Sequence, residues 1–244
     1  MIDASRLHRV SPASVVWRVG RRPAPWDWTD WRFASQDTGT FPGRWDSPVP
    51  HSYRTTYAAS TPEGALLEVL ARFRPDPAVA AAMAEITVDP VDSDLHPTVR
   101  AGVVPDDWFT VRMLATAHLD GTYCDVAHSE TVAALWADFA DRAINSDGLP
   151  DFDGSALQNA HARPLTQAIS ARLYAITLDD DAPALDGIRF LSRFGADQEL
   201  WTVFEQPSDG DRSRLLSDTT AAPLTPADPH VRAAMDTLGL AEDA

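Results

Sequence analysis

The 244-residue sequence contains a single cysteine, Cys124, and no apolar run approaches the roughly 18 residues that a membrane span needs. One cysteine excludes an internal disulfide and a cysteine-based zinc cluster. The segment from Met1 to Ser11 lacks the apolar core of a secretory signal peptide. We therefore expect a cytoplasmic protein that does not bind a membrane.

Basic residues are also scarce, because 20 Lys and Arg residues face 36 Asp and Glu residues and the formal net charge is −16. A protein that grips DNA or RNA needs clustered positive charge to displace counterions from phosphates. Direct binding of nucleic acid is therefore not expected. A few arginines in a pocket can still bind a small anion despite a negative exterior.

Motifs of several enzyme classes are missing. The seven histidines are scattered without a His-x3-His pair, which gives little support to a zinc hydrolase, and we expect no metal. No G-x-S-x-G elbow, Walker loop or G-x-G-x-x-G is present. Asp and Glu are plentiful, so the paired carboxylates of a glycosidase stay open as an alternative.

Apolar residues make up 44% of the chain, and their periodicity changes repeatedly between that of strands and that of helices. This mixture predicts an α/β (α+β) fold with a mixed β-sheet core, surrounding helices and one layered domain. Strands are predicted at Val15–Val19, Tyr53–Ala59, Glu85–Val88, Gly187–Ser192 and, after a turn at Gly195–Asp197, Leu200–Glu205. Helices are predicted from Pro62 to about Phe73 and at Ala78–Ala84, Ser129–Ala143, Arg163–Ile176 and Pro229–Leu238, with a mixed stretch over Pro105–Leu119.

Two helices carry stripes that indicate their buried faces. In the helix that begins at Pro62, the stripe consists of Leu66, Val69, Leu70 and Phe73. In the helix over 129–143, it consists of Val132, Trp136, Phe139 and Ala143.

Four residues could carry chemistry, although each also has an ordinary structural interpretation. Arg18 can form an ion pair at a sheet edge, and Arg44, beside a glycine, can be a surface arginine or a fork that binds a phosphate. Glu68 falls about 140° from its helix's apolar stripe, which favours a solvated position paired with Arg72, unless that face lines a cleft. Ser192 ends a predicted strand, a position at which serine commonly forms turns.

The order of these residues resembles the RES family, which is named for its Arg, Glu and Ser. The matching segments are Trp17-Arg18, Gly43–Trp45 (GRW), Tyr57–Ser60 (YAAS), Ala65–Leu70 (ALLEVL), Asp186–Arg193 (DGIRFLSR) and Trp201–Phe204 (WTVF). They extend over roughly residues 15 to 205. The sequence departs from the family pattern at Pro42, where a second glycine is frequent, and at Asp46, where Asn is common.

The resemblance implies an ADP-ribosyltransferase-like domain that consumes NAD+ as a substrate, by hydrolysis or phosphorolysis, without a further cofactor. It implies a RES domain over 1–210 with a helical insertion at about 94–155, followed by a polar tail over 211–244 that ends in a short helix. It also implies the toxin of a toxin-antitoxin pair, an Xre-type helix-turn-helix antitoxin as partner, and a homodimer.

The resemblance also assigns roles to individual residues. Glu68, Arg18 and Ser192 are expected to be catalytic, with Thr166 or Ser170 as alternative sources of the hydroxyl. The expected substrate-binding residues are Arg44, Trp45, Tyr57 and Tyr53, and the two tyrosines would stack against nicotinamide. The acceptor of ADP-ribose is left open among water, phosphate and protein, and a nucleotide-binding module without turnover is the main alternative.

Overall fold

A computed structural model describes residues 4–12, 14–85, 101–159 and 161–243. Its centre is an eight-stranded sheet with the strand order β1-β6-β7-β8-β3-β2-β5-β9. The strands of this sheet are β1 Arg9–Val10, β2 Ser14–Arg21, β3 Thr55–Ala59, β5 Arg112–Leu119, β6 Tyr123–Asp125, β7 Gly187–Ser192, β8 Gly195–Phe204 and β9 Leu216–Pro223. A second sheet pairs β4 Val103–Val104 with β10 Ala241–Glu242.

The large sheet is mixed, as the sequence predicted. The pair β6–β7 is parallel, and all the other neighbouring pairs of the sheet are antiparallel. Strand β2 lies near the middle, where Trp17 pairs with Ala59 of β3 on one side and with Thr116 of β5 on the other. Residues far apart in the chain therefore meet at the centre of the sheet.

Seven α-helices surround the sheet in the described part of the chain. They are α1 Pro62–Leu70, α2 Pro77–Ala84, α3 Asp106–Thr110, α4 Ser129–Asp141, α5 Gly154–Gln158, α6 Arg163–Tyr174 and α7 Pro229–Leu238. A 3-10 turn at Ala71–Phe73 extends α1, and a π-helical turn at Arg142–Ser146 extends α4. Within the described ranges, no helix has the length and apolar character required to cross a membrane.

Helix α1 begins as its sequence predicts. Thr61 is the N-cap, and its side-chain oxygen accepts a hydrogen bond from the Gly64 backbone nitrogen at 3.0 Å. Pro62 occupies the first turn, where its missing N–H costs nothing. The predicted helices over 163–176 and 229–238 are likewise confirmed, and the predicted strand at Glu85–Val88 lies outside the described residues apart from Glu85.

Several predictions about the second half of the chain were wrong. Residues 101–155 do not form a helical insertion, because β5 and β6 of the large sheet lie there. Strand β8 begins at Gly195, where a turn was predicted. Within the predicted polar tail, β9 joins the edge of the large sheet beside β5. The exact limits of the domain stay a prediction.

The predicted buried stripe of α4 was wrong at Trp136, whereas Phe139 and Ala143 are buried as predicted and Val132 packs against the core. Trp136 is 53% exposed, whereas Ala134, Leu135 and Phe139 are buried. The buried face is therefore rotated away from Trp136, and an isolated exposed tryptophan on a helix is an ordinary feature of protein surfaces.

Helix α7 packs against α1 in one hydrophobic cluster with α3. Leu66 and Leu70 of α1 are fully buried there together with Val231 and Met235 of α7. The C-terminal helix therefore supports the helix that carries Glu68.

We expect Met235→Ala to lower the free energy of unfolding by about 2–5 kcal/mol, because Met235 is 4% exposed and truncation leaves a cavity. Trp136→Ala should change it by less than about 0.5 kcal/mol, because its side chain faces solvent. Urea unfolding of both variants measures the difference. Equal destabilisation would contradict the packing described for these two helices.

Candidate active site

A cavity of about 400 Å³ opens between α1, the centre of the sheet and the loop before β3. This volume lies within the range of about 300–1,000 Å³ that small-molecule sites occupy. The described residues that line it include one carboxylate and four arginines: Glu68, Arg18, Arg44, Arg163 and Arg193. The other lining residues are aliphatic or aromatic or are glycine: Trp17, Val19, Pro42, Gly43, Tyr57, Ala58, Ala59, Ala65, Val69, Phe190 and Leu200.

The charge of the cavity is opposite to that of the protein. Four guanidinium groups against one carboxylate make its lining cationic, while the whole chain has a net charge of −16. All 20 basic residues of the chain are arginines, whose planar fork matches phosphate and carboxylate oxygens. The cavity is therefore suited to a small anionic ligand.

Arg18 lies on β2 and is held by two backbone carbonyls. Its Nε donates to the Pro25 carbonyl and its Nη1 to the Tyr57 carbonyl, each at 2.8 Å. Burial lowers the pKa of Arg18 to about 10, against smaller opposing effects of Tyr57 and Asp46. The side chain remains cationic at neutral pH and lines the cavity in a fixed position.

The loop that carries Arg44 is fixed by Asp46. This carboxylate accepts hydrogen bonds from the Gly43 nitrogen at 2.5 Å, from the Tyr57 hydroxyl at 3.0 Å and from the Thr55 hydroxyl. The Tyr57 hydroxyl in turn accepts from the Trp45 backbone nitrogen at 2.9 Å. Burial, and next the nearby Asp46 carboxylate, raise the pKa of Tyr57 well above its ordinary value, so its phenol stays protonated.

Arg44 extends from this loop and is held by Leu157 and Phe190. Its Nη1 donates to the Leu157 carbonyl at 3.3 Å, and its guanidinium carbon lies 4.9 Å from the ring centre of Phe190. Burial lowers the pKa of Arg44, Glu68 opposes this effect, and the neighbouring Arg193 and Arg163 add to it. A bound anion would relieve the repulsion among these three arginines.

Glu68 faces the cavity rather than bulk solvent. Its Oε1 accepts a hydrogen bond from the Ser192 hydroxyl at 2.6 Å, and Ser192 Oγ accepts from the Phe194 nitrogen at 3.0 Å. Ser192 is 2% exposed, so a buried hydroxyl from the end of β7 holds one carboxylate oxygen of α1. The expected surface pair with Arg72 is not among the ion pairs of the described residues.

Five residues that the sequence offered for the site lie outside the cavity lining: Trp45, Tyr53, Ser192, Thr166 and Ser170. Trp45 is fully buried in the core beside Phe190, at 5.7 Å between ring centres. Tyr53 is 3% exposed and stacks on Tyr174 at 4.0 Å, so it cannot stack on a ligand beside Tyr57. Strand β3 begins at Thr55, so the two-residue period that put both tyrosines on one face does not extend to Tyr53.

The two alternative hydroxyl donors are also engaged elsewhere. Thr166 Oγ1 donates within its own helix to the Arg163 carbonyl at 3.2 Å. Ser170 Oγ donates to the Trp45 carbonyl at 2.5 Å and contacts the Tyr53 hydroxyl at 2.9 Å. Of the three candidate hydroxyls, Ser192 is the one that is bonded to Glu68.

Sequence reasoning missed the two arginines at the rim, Arg163 and Arg193. Both side chains are exposed, and neither forms an ion pair with a described residue. Arg193 lies over the Phe194 ring at 4.5 Å, and Arg163 begins helix α6. Arginines without an acidic partner in an acidic chain indicate a site for an anion. However, only the fold brings these two arginines to one cavity.

One grouping of possible metal ligands lies elsewhere, at the start of α4. His8, His128 and Glu130 place one ligand atom each within 4.8 Å of one another, although the sequence suggested scattered histidines. The two imidazole rings are stacked at 3.7 Å with 9° between their planes. Their lone pairs therefore lie in nearly parallel planes, so one ion bound by both rings would lie out of the plane of at least one of them. None of these residues lines the cavity.

Gly43→Ala should weaken the site without unfolding the protein. A Cβ at this position would lie 2.5 Å from Asp46 Oδ2 and 2.6 Å from the Tyr57 hydroxyl, too close for unstrained contact. The loop must shift and carry Arg44 with it, so we expect at least a tenfold loss of ligand affinity, about 1.4 kcal/mol. Calorimetric titration with ADP-ribose measures this loss. Gly210→Ala is a control for glycine replacement in an open loop, because a Cβ at that position has nothing within 4 Å, and wild-type affinity in Gly43→Ala would contradict this account.

The chain was compared with known proteins. Among solved structures it is similar to a chain of "Crystal structure of the M.tuberculosis MbcT-MbcA toxin-antitoxin complex", with 14% identity, a TM-score of 0.44, and coverage of 96% of this chain and 93% of that chain. No curated protein matches. The sequence model of the RES domain matches residues 15–225, which is most of the chain and includes every residue that lines the cavity. The protein therefore belongs to the RES domain family.

Proposed function

We propose that this protein cleaves the bond between nicotinamide and ribose in NAD+, with water or inorganic phosphate as the acceptor. The observation that carries the proposal is the carboxylate of Glu68, held by Ser192 in a cavity whose other charged residues, among those described, are arginines. NAD+ combines a pyrophosphate, which the arginines suit, with a cationic leaving group next to a ribose, which a carboxylate suits.

The arginines bind the pyrophosphate in this proposal. Arg18 and Arg44 are both half-buried and fixed by backbone carbonyls, so little conformational freedom is lost when they form charge-assisted hydrogen bonds with phosphate oxygens. Their positive charge also repels the cationic nicotinamide ring from the phosphate end. The substrate is thereby oriented with nicotinamide toward Glu68.

Glu68 stabilises the transition state. Departure of nicotinamide leaves positive charge on the ribose, and a carboxylate beside the ring stabilises that charge more in the transition state than in the ground state. The same carboxylate accepts hydrogen bonds from ribose hydroxyls and orients the attacking water or phosphate. Ser192 is a positioning residue, because its hydroxyl touches Glu68 and holds one of its two oxygens.

Tyr57 provides a rigid aromatic wall for nicotinamide. Its hydroxyl is bonded to Asp46 and to the Trp45 nitrogen, which fixes the ring at the edge of the cavity. Phe190 lies 6.4 Å away and perpendicular to it, which supports this orientation. Tyr53 has no part in the proposal, because it is buried in the core.

The products separate the candidate reactions. Purified protein is incubated with NAD+ labelled in its adenylate part, with and without inorganic phosphate. Free nicotinamide with ADP-ribose supports hydrolysis, and phosphate-dependent formation of a phosphorylated ADP-ribose supports phosphorolysis. Label that becomes attached to protein would replace the proposal by protein ADP-ribosylation, and binding of NAD+ without any product would replace it by a binding module.

A role as a toxin, with a helix-turn-helix antitoxin as its partner, rests on the family resemblance. The proposal includes this role because depletion of NAD+ arrests a cell. Expression in a bacterial host should stop growth, and a Glu68→Ala variant expressed at the same level should not. Growth arrest by both proteins would contradict NAD+ depletion as its cause. A cytoplasmic location and a homodimer stay predictions.

A further inference from the structure

A second cavity of about 240 Å³ adjoins the one that contains Glu68. The two share Pro42 and Arg163, so they meet at the rim of the larger cavity. The remaining lining residues are hydroxyl, amide and apolar groups: Ser35, Thr38, Thr40, Phe41, Pro164 and Gln167. No carboxylate is among the described residues that line it.

We propose that this second cavity binds the adenylate half of the dinucleotide, an inference that rests on the proposed cleavage of NAD+. NAD+ consists of two nucleotides joined by a pyrophosphate. If nicotinamide lies beside Glu68, the pyrophosphate follows the arginines toward the rim, and the adenylate half must extend beyond it. Arg163 lies where the two cavities meet, with its guanidinium unpaired among the described residues.

The second cavity has the chemistry that an adenosine needs. The hydroxyls of Ser35, Thr38 and Thr40 can donate to and accept from ribose hydroxyls and purine nitrogens. Phe41 and the two prolines provide apolar faces for the base. Such a mixture of apolar surface and few polar groups is typical of sites that orient a small molecule.

The loop that forms this cavity is ordered by its own hydrogen bonds. The Ser35 nitrogen donates to the Thr40 carbonyl at 2.9 Å, and the hydroxyls of Thr38 and Thr40 are 2.7 Å apart. Gln167 fastens the loop to α6 by donating to the carbonyls of Phe41 and Gly43 at 3.3 and 2.9 Å. One amide thus ties together the walls of both cavities, so little ordering is needed when a ligand spans them.

Comparison of NAD+ with nicotinamide mononucleotide, which lacks the adenylate half, tests this inference. A Thr38→Tyr substitution fills the second cavity from an exposed loop position, and Asp37→Tyr is the matched control because Asp37 is its exposed neighbour outside the lining. We expect Thr38→Tyr to lower the ratio of kcat/KM for NAD+ over the mononucleotide about tenfold, equivalent to about 1.4 kcal/mol. Asp37→Tyr should leave the wild-type ratio. An unchanged ratio in Thr38→Tyr, or an equal fall in Asp37→Tyr, would overturn the inference.

Calorimetric titration with AMP tests the adenylate site independently of the proposed cleavage of NAD+. AMP that binds wild type and Asp37→Tyr, but binds Thr38→Tyr at least tenfold more weakly, supports the adenylate site even if neither substrate is cleaved. Equal affinity in all three proteins, or no binding to wild type, overturns it even if NAD+ is cleaved. Both substitutions are at exposed loop positions, so we expect melting temperatures near that of the wild-type protein. Thermal melting of the two variants therefore identifies any loss of binding that comes from unfolding.

Discussion

Glu68→Gln is expected to lower kcat for NAD+ cleavage by a factor of about 10²–10³, whereas KM should change less than threefold. A fall in kcat of this size is found when one electrostatic contact to a transition state is removed. The substitution preserves the shape of the side chain, and its amide oxygen can still accept the hydrogen bond from Ser192. Only the negative charge is lost. Because that charge acts on the cationic ribose of the transition state, turnover falls and substrate binding does not.

A control for this variant is available on the same helix. Glu63 also lies on α1, but its carboxylate contacts His230 at 2.6 Å and does not line the cavity. Glu63→Gln should keep kcat near the wild-type value. Initial rates of nicotinamide release, measured over a range of NAD+ concentrations, give kcat and KM for both variants. A near-normal kcat in Glu68→Gln would remove Glu68 from the chemistry.

Arg44→Ala is expected to raise the Kd for ADP-ribose about 10- to 150-fold, because a hydrogen bond to a charged group contributes about 1.5–3 kcal/mol. The guanidinium is half-buried and has no carboxylate partner among the described ion pairs, so its charge is available to a ligand. Arg44→Lys should recover only part of the affinity, since an ammonium cannot form the planar fork. Binding by wild type should also weaken as salt is added.

The control for this loss is an arginine outside the site. Arg32 is exposed and pairs with Asp30 at 3.6 Å, so Arg32→Ala should keep the wild-type Kd. Titration calorimetry gives the affinities, and thermal melting reports how much stability Arg44→Ala loses with its contacts to Leu157 and Phe190. An unchanged Kd in a folded Arg44→Ala protein would show that this arginine does not bind the phosphates.

Local pattern alone could not have identified Glu68 as a cavity residue. On its own helix it lies off the apolar stripe, which favours solvent. That face is instead covered by the ends of β7 and by the loop around Arg44, which are distant in sequence. The resemblance to a family supplied the long-range information that periodicity lacks, and the family match over residues 15–225 confirms it at the level of the family.

For the aromatic residues, the sequence predicted more members of the site than the structure places there. Trp45 and Tyr53 stand beside residues of the site in the sequence, but both side chains turn into the core, whereas Tyr57 faces the cavity. Residue type does not separate these cases, because a large ring gains as much free energy from core packing as from a ligand. The neighbours that decide the outcome, such as Tyr174 for Tyr53, are remote in the chain.

The edge strand β9 escaped prediction for a related reason. Of its eight residues only Leu216 is buried, so no two-residue alternation marks the strand, and it ends at a proline. Arg163 and Arg193 gave no local signal either, since Arg163 begins α6 and Arg193 lies in the turn between β7 and β8. Helices with strong apolar stripes and clear caps, such as α6 and α7, were predictable because their signals are local.

Release of free nicotinamide from NAD+ by the purified protein, beside the Glu68→Gln variant, tests the central claim most directly. We expect continuous release by the wild-type protein and a rate about 10²–10³ times lower for the variant. No release by wild-type protein under conditions where it binds NAD+ would contradict the proposed reaction, and equal release by both proteins would contradict the role of Glu68.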